Sequence, residues 1–232
     1  MIRRIGLLGA LVGAAGLLSV APGVASASTT IGQTFSPSGC SEETYIQTAS
    51  PPGGPSYVVP FDGVITQWSY QSDPSPPPTV RLKAAFHPGG TTLQIVAESA
   101  TENIAPSTLN TYQSRIPVPA GANLGEFISE DCSRPDDNYS DYYLGEDLAV
   151  GSSSSDFTLE NFQQDISAVV EPDADHDGFG DDTQDLCPSN GSTQSACPAS
   201  APPPTKKKCK KHKHGHKSAQ AAKKRCKKKH HK

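Results

Sequence analysis

Proline clusters set the tightest limit on what this chain can fold into. Ser50-Pro51-Pro52-Gly53-Gly54-Pro55 and Asp73-Pro74-Ser75-Pro76-Pro77-Pro78 interrupt it early, and proline, lacking an amide N–H, fits neither a helix interior nor a central strand. Between such clusters the apolar residues alternate. In Gly63–Gln71, Val64, Thr66, Trp68 and Tyr70 fall on one side while Gln67 and Ser69 face the other. In Thr79–Phe86, Val80, Leu82, Ala84 and Phe86 alternate with Arg81 and Lys83. A period of two is the mark of a strand with one buried face. His87-Pro88-Gly89-Gly90 turns the chain into a further β-type run, Thr91–Glu98. Similar runs occupy Thr30–Phe35, Glu43–Thr48, Tyr57–Pro60, Thr111–Val118, Ala122–Ser129, Asp156–Leu159 and Ile166–Val170. No helical period is sustained anywhere between Ser28 and Glu171. The pattern predicts an all-β fold, a β-sandwich over 28–171, with polar connections at Glu130–Gly145 and Gly151–Ser155.

The N-terminus points to export. Arg3 and Arg4 precede an apolar stretch from Ile5 to Val20, and Ala25-Ser26-Ala27 offers a small-residue cleavage site. That order is a signal peptide over residues 1–27, with cleavage after Ala27. No later stretch approaches the ~20 apolar residues of a membrane helix, so the mature chain is expected to be secreted, without a transmembrane segment.

Charge divides the mature chain. The whole sequence carries a formal −4, yet Lys206–Lys232 holds 14 Lys and Arg and no acid. Residues 28–205 set four basic residues against all 24 acids, a net −20. A whole-chain average describes neither block. The cysteines are Cys40, Cys132, Cys187, Cys197, Cys209 and Cys226. An even number in an exported chain implies disulfides. Six cysteines allow 15 pairings, between which sequence alone does not choose; compositional neighbourhood suggests Cys40–Cys132 in the body, Cys187–Cys197 after the Asp run and Cys209–Cys226 in the tail. No C-x-x-C pair argues for a metal site at the cysteines.

Two segments resemble known material. DGVITQWSY at Asp62–Tyr70 and LNTYQSRIPVPAGANLG at Leu109–Gly125 resemble the jelly-roll-like β heads of secreted actinobacterial proteins, which implies a fold and leaves function open. DADHDGFGDDTQDLCP at Asp173–Pro188 is similar to the thrombospondin type 3 repeat, D-x-D-x-D-G-x-G-D followed by further Asp and Cys-Pro. That resemblance implies calcium. The chemistry agrees: calcium takes about six to eight oxygens, and the alternate residues Asp173, Asp175 and Asp177 can aim carboxylates at one point. Gly178 permits the reversal that follows. Phe179 would offer its carbonyl and Asp181 a direct or water-mediated contact. The loop register puts the closing ligand at Gln184, a poor substitute for a carboxylate, whereas Asp185 lies one place later. Pro172 before the loop and Cys187-Pro188 after it exclude the flanking helices of an EF-hand. Without calcium the segment 172–198 reads as a disordered acidic linker whose charges repel.

Ala199–Thr205 is a Pro-rich linker, and 206–232 a Lys/His-rich tail without large apolar residues. It resembles the Lys-rich, two-cysteine tails of other secreted actinobacterial proteins. Such a tail binds polyanions by displacing their counter-ions, so the expected partners are anionic cell-envelope polymers or polysaccharide. It has no aromatic residues to stack on bases, which argues against sequence-specific nucleic-acid binding. His212, His214 and His216 alternate as a metal-chelating run would, and a purely solvated extension is the remaining reading.

Catalytic motifs are missing. His87 is the one histidine of 28–171, and neither G-x-S-x-G nor H-E-x-x-H occurs. The expectation is a non-catalytic binding or adhesion protein. The alternative is a secreted carboxylate-dependent hydrolase such as a glycosidase, whose two acids need not be near in sequence.

Overall fold

A computed structural model describes residues 27–39, 42–129 and 132–199. The expected signal peptide except Ala27, together with Cys40, Cys209, Cys226 and the basic tail, lies outside these residues. Fourteen strands and no helix occur among them: β1 Thr29–Gln33, β2 Glu43–Ala49, β3 Gly63–Gln71, β4 Thr79–Gly89, β5 Thr92–Glu98, β6 Glu102–Asn103, β7 Leu109–Val118, β8 Asn123–Ile128, β9 Ser133–Pro135, β10 Ser140–Leu144, β11 Ser153–Ser154, β12 Thr158–Glu160, β13 Phe162–Gln164 and β14 Ile166–Pro172.

One sheet has the order β1-β14-β3-β7, a second runs β11-β5-β4-β8-β2-β10-β12 with β6 beside β4, and β13 and β9 form a two-stranded third. All pairings are antiparallel. The eight central strands pass back and forth between the sheets, so that β1-β14-β3-β7 faces β2-β8-β4-β5. This interleaving is the double Greek key of a jelly-roll sandwich. Its core is filled from both inner faces by Tyr45, Trp68, Tyr70, Leu82, Leu124, Ile128, Ile166 and their neighbours. The outer face of the larger sheet is covered by a second cluster, in which Leu144 and Phe157 pack on Ile46, Leu93 and Ile95. Lys83 reaches that face fully buried, held by Glu98, Asp147 and the Leu148 carbonyl.

Three local expectations are corrected. Tyr57–Pro60 is no strand; it makes an isolated bridge from Val58 to Asn123. Glu130–Gly145 contains strands β9 and β10. Their alternation is hidden because Asp141 points inward, where its carboxylate accepts from Phe162 N and Gln164 Nε2. In β3, register shifts between Ile65 and Gln67. A bulge inverts the facing of side chains, so Ile65, Trp68 and Tyr70 join the core while Thr66 faces the Asp-rich segment.

Candidate metal centre

Pro172 ends β14, and the Asp-rich segment turns back onto the smaller sheet at once. Glu171 makes that turn. Its Oε1 accepts from the hydroxyls of Thr66 (2.9 Å) and Thr183 (2.7 Å), and its Oε2 from the N–H groups of Asp182 (3.1 Å) and Thr183 (2.9 Å). A buried carboxylate with this many donors is well satisfied. The returning limb passes so close that a Cβ on Gly180 would lie 2.5 Å from Glu171 Oε2 and 2.6 Å from Thr66 Cγ2. Gln184 donates its amide to Ser114 O at 2.7 Å, and Arg115 stacks over the Phe179 ring at 4.2 Å. The segment is therefore docked on β3 and β7, inside the same compact unit as the sandwich.

The loop is drawn in by its own first acid. Asp173, only 8% exposed, accepts from Asp177 N at 3.0 Å and Gly178 N at 2.9 Å. Closing so tight a turn requires left-handed backbone at His176 (φ 58°) and Gly178 (φ 82°). The result brings carboxylate oxygens of Asp173, Asp175 and Asp177 within 4.8 Å of one another. Asp177 is held in turn by Phe179 N (3.0 Å) and Gln194 Nε2 (2.8 Å).

Two acids remain unsatisfied. Both carboxylate oxygens of Asp175 are buried without a hydrogen-bond partner, as is Oδ2 of Asp185, a residue 3% exposed. The other Asp185 oxygen accepts from Cys187 N at 2.8 Å. Burial raises the Asp181 carboxyl above its ordinary value, Asp173, Asp175 and Asp185 raise it further, and the Ala174 N–H partly offsets this. Buried carboxylates facing one another without donors are costly, and a cation among them removes both penalties. The Asp173–Asp175–Asp177 group could therefore hold a metal ion.

The other residues expected as ligands have partners of their own. Asp181 lies opposite Ala174, its oxygens 3.2 and 3.3 Å from that N–H. Phe179 turns its ring to Arg115 and its N–H to Asp177. Gln184 is engaged at both ends of its amide, by Ser114 O and by Gly180 N.

Sequence reasoning missed the lid. The Cys187–Cys197 disulfide closes a loop in which Gly191 lies against the triad: a Cβ there would be 3.2 Å from Asp177 Cβ and 3.6 Å from Asp175 Oδ1. Gln194, from the same loop, supplies the bond to Asp177. Neither residue carries a motif; the only signal was the cysteine pair around them. Cys132 is buried and disulfide-bonded.

A second group of acids lies within the sandwich. Glu126 is fully buried with neither carboxyl oxygen hydrogen-bonded, and burial, then Asp165, hold it well above the usual carboxylate range. Burial pushes Asp165 up to about 9 against the N–H groups of Phe35 and Gln71 and the Arg134 charge. Asp141 is raised to about 7, again by burial first. These groups have no solvent access and belong to the core.

No protein-family model, curated protein or solved structure matches the chain.

Proposed function

We propose that this is a secreted calcium-binding protein whose jelly-roll head is a non-catalytic binding or adhesion module. The observation that carries the reading is Asp175, whose two enclosed oxygens lack any donor while the neighbouring acids are held by the loop's own N–H groups. An all-carboxylate group suits a hard cation, and calcium tolerates the irregular geometry of such a loop better than magnesium does. Asp173, Asp175 and Asp177 supply the first oxygens, Phe179 its carbonyl, and Asp181 a contact direct or through water. Asp185 is the closing ligand in this reading, since its free oxygen is buried and the Gln184 amide is occupied elsewhere. Extracellular calcium modules bind at ~10⁻⁴–10⁻³ M, and docking of the loop favours the tight end of that range.

The similarity of DADHDGFGDDTQDLCP to the thrombospondin type 3 repeat supports the choice of ion. The basic tail, by its charge alone, is assigned to anionic envelope polymers. Calorimetric titration of the metal-free, full-length protein tests the metal. Binding should be saturable and fall at least tenfold in Asp175→Asn. No calcium binding, or equal binding by that variant, would overturn the reading.

A further inference from the structure

An open groove of about 510 Å³ runs beside the metal loop. One wall is Asp173, His176 and Asp177 of the loop; the other is Asp62 and the exposed rims of Pro117 and Pro119, from the start of β3 and the end of β7. Resting on the calcium reading above, we propose that this groove binds a neutral carbohydrate, whose vicinal hydroxyls complete the metal's coordination and donate to Asp62.

Asp173 and Asp177 belong both to the metal group and to the groove wall, so a cation held by them has a face toward the groove. The lid loop covers the other side, where Gly191 meets Asp175 and Gln194 meets Asp177. The groove side is therefore where water enters the coordination sphere and where a ligand oxygen can replace it. His176 is exposed at this rim with a left-handed backbone, a conformation uncommon outside glycine.

Charge then selects the ligand. Asp62, Asp173, Asp175, Asp177, Asp181 and Asp185 against one calcium leave a local charge of about −4. An anion is repelled by that surplus, and an ammonium competes with the metal for the same oxygens. A polyol avoids both conflicts, because its hydroxyls coordinate a hard cation and also donate to a carboxylate. Asp62 is placed for the second role: its Oδ1 already accepts from Ala120 N at 2.8 Å, which fixes the carboxylate and leaves its other oxygen at the exposed rim. The two proline rings give the C–H face of a sugar an apolar surface, and the volume falls within the ~300–1,000 Å³ of small-ligand sites. The walls are rigid, because Glu171, Gln184 and Phe179 fasten the loop to the strands.

The test uses full-length protein on immobilised neutral mannan, with methyl α-mannoside as soluble competitor and calcium affinity measured in parallel. Retention should require calcium, be lost with chelator, and survive moderate salt. Competition by millimolar methyl mannoside would place a terminal sugar in the groove; competition by soluble mannan alone would place an internal stretch of polymer there. Asp62→Ala and, as a groove-filling second variant, Pro117→Trp should each weaken retention at least tenfold while calcium affinity stays within threefold. Calcium binding with no mannan retention, retention unchanged by chelator, or retention unchanged in both variants would overturn the groove alone. Absence of calcium binding would overturn the metal reading itself, a separate result in the parallel titration.

Discussion

Gln194 donates its side-chain amide to Asp177 Oδ2 at 2.8 Å, so a residue inside the disulfide loop fixes one carboxylate of the metal group. Leu186 N donates to Gln194 O at 3.0 Å, which sets Gln194 from the other limb of the same loop. The disulfide therefore shapes the metal group without touching it. Gln194→Ala should weaken calcium binding about tenfold, the loss of one hydrogen bond of ~1.5 kcal/mol to a charged group. Removing the crosslink with Cys187→Ser and Cys197→Ser should cost more, because Gly191 also leaves Asp175. Calorimetric titration of the variants checks this; wild-type affinity in the cysteine double variant would show that the lid is irrelevant.

The Gly180 position makes a sharper stability prediction. Ala there would drive its Cβ to 2.5 Å from Glu171 Oε2 and 2.6 Å from Thr66 Cγ2, so either the segment lifts or β3 shifts. Gly180→Ala should destabilise by ~2 kcal/mol, in the range of overpacked sites, and weaken calcium binding with it. Gly191→Ala meets its nearest atom at 3.2 Å and should be milder. Denaturant unfolding of the two variants orders them, and equal midpoints would contradict the docking geometry.

The buried acids of the core predict an acid-favouring stability profile. Glu126, Asp141 and Asp165 hold their protons more tightly folded than unfolded. Stability therefore falls as pH rises above the ordinary carboxylate range, toward about 7 for Asp141 and about 9 for Asp165. Asp147 has the opposite sign: the Lys83 and Arg81 contacts outweigh burial and lower its value, so its contribution is lost in stronger acid. In chelator, the melting temperature should peak near pH 5 and decline toward pH 9. Glu126→Gln, which keeps the shape and removes the ionisation, should flatten the decline. A level melting profile between pH 5 and 9 would sink this account.

These cases show where the chain was legible. Strand β4 was plain because Val80, Leu82 and Ala84 face the core in strict alternation. Strand β10 was not, because its inward residue is Asp141, made tolerable only by Phe162 N and Gln164 from a later segment. The β3 facing was misjudged at Thr66, since a bulge has no composition of its own. At the metal loop, Asp173, Asp175 and Asp177 could be grouped from spacing alone because the turn that gathers them is local. Glu171, Gly191 and Gln194 act through residues 11 to 105 positions away along the chain, and such contacts have no sequence period.

The basic tail supports a final prediction from charge alone. Lys206–Lys232 carries 14 fixed positive charges and no acid, following a body of opposite sign. Binding to a polyanion gains mainly from displaced counter-ions, so it should weaken steeply as salt rises. The histidines His212, His214, His216, His230 and His231 titrate near ~6.5 when unperturbed. Lowering the pH from 7.5 to 5.5 should thus strengthen binding to a phosphate polymer, which keeps its charge over that range. Calcium should modestly aid attachment, because neutralising part of the acidic body reduces competition for the tail within the molecule. Cosedimentation with purified wall phosphate polymer, comparing the full chain with one stopped at Thr205, measures all three effects. Equal retention of the two proteins at low salt would show that attachment resides in the head.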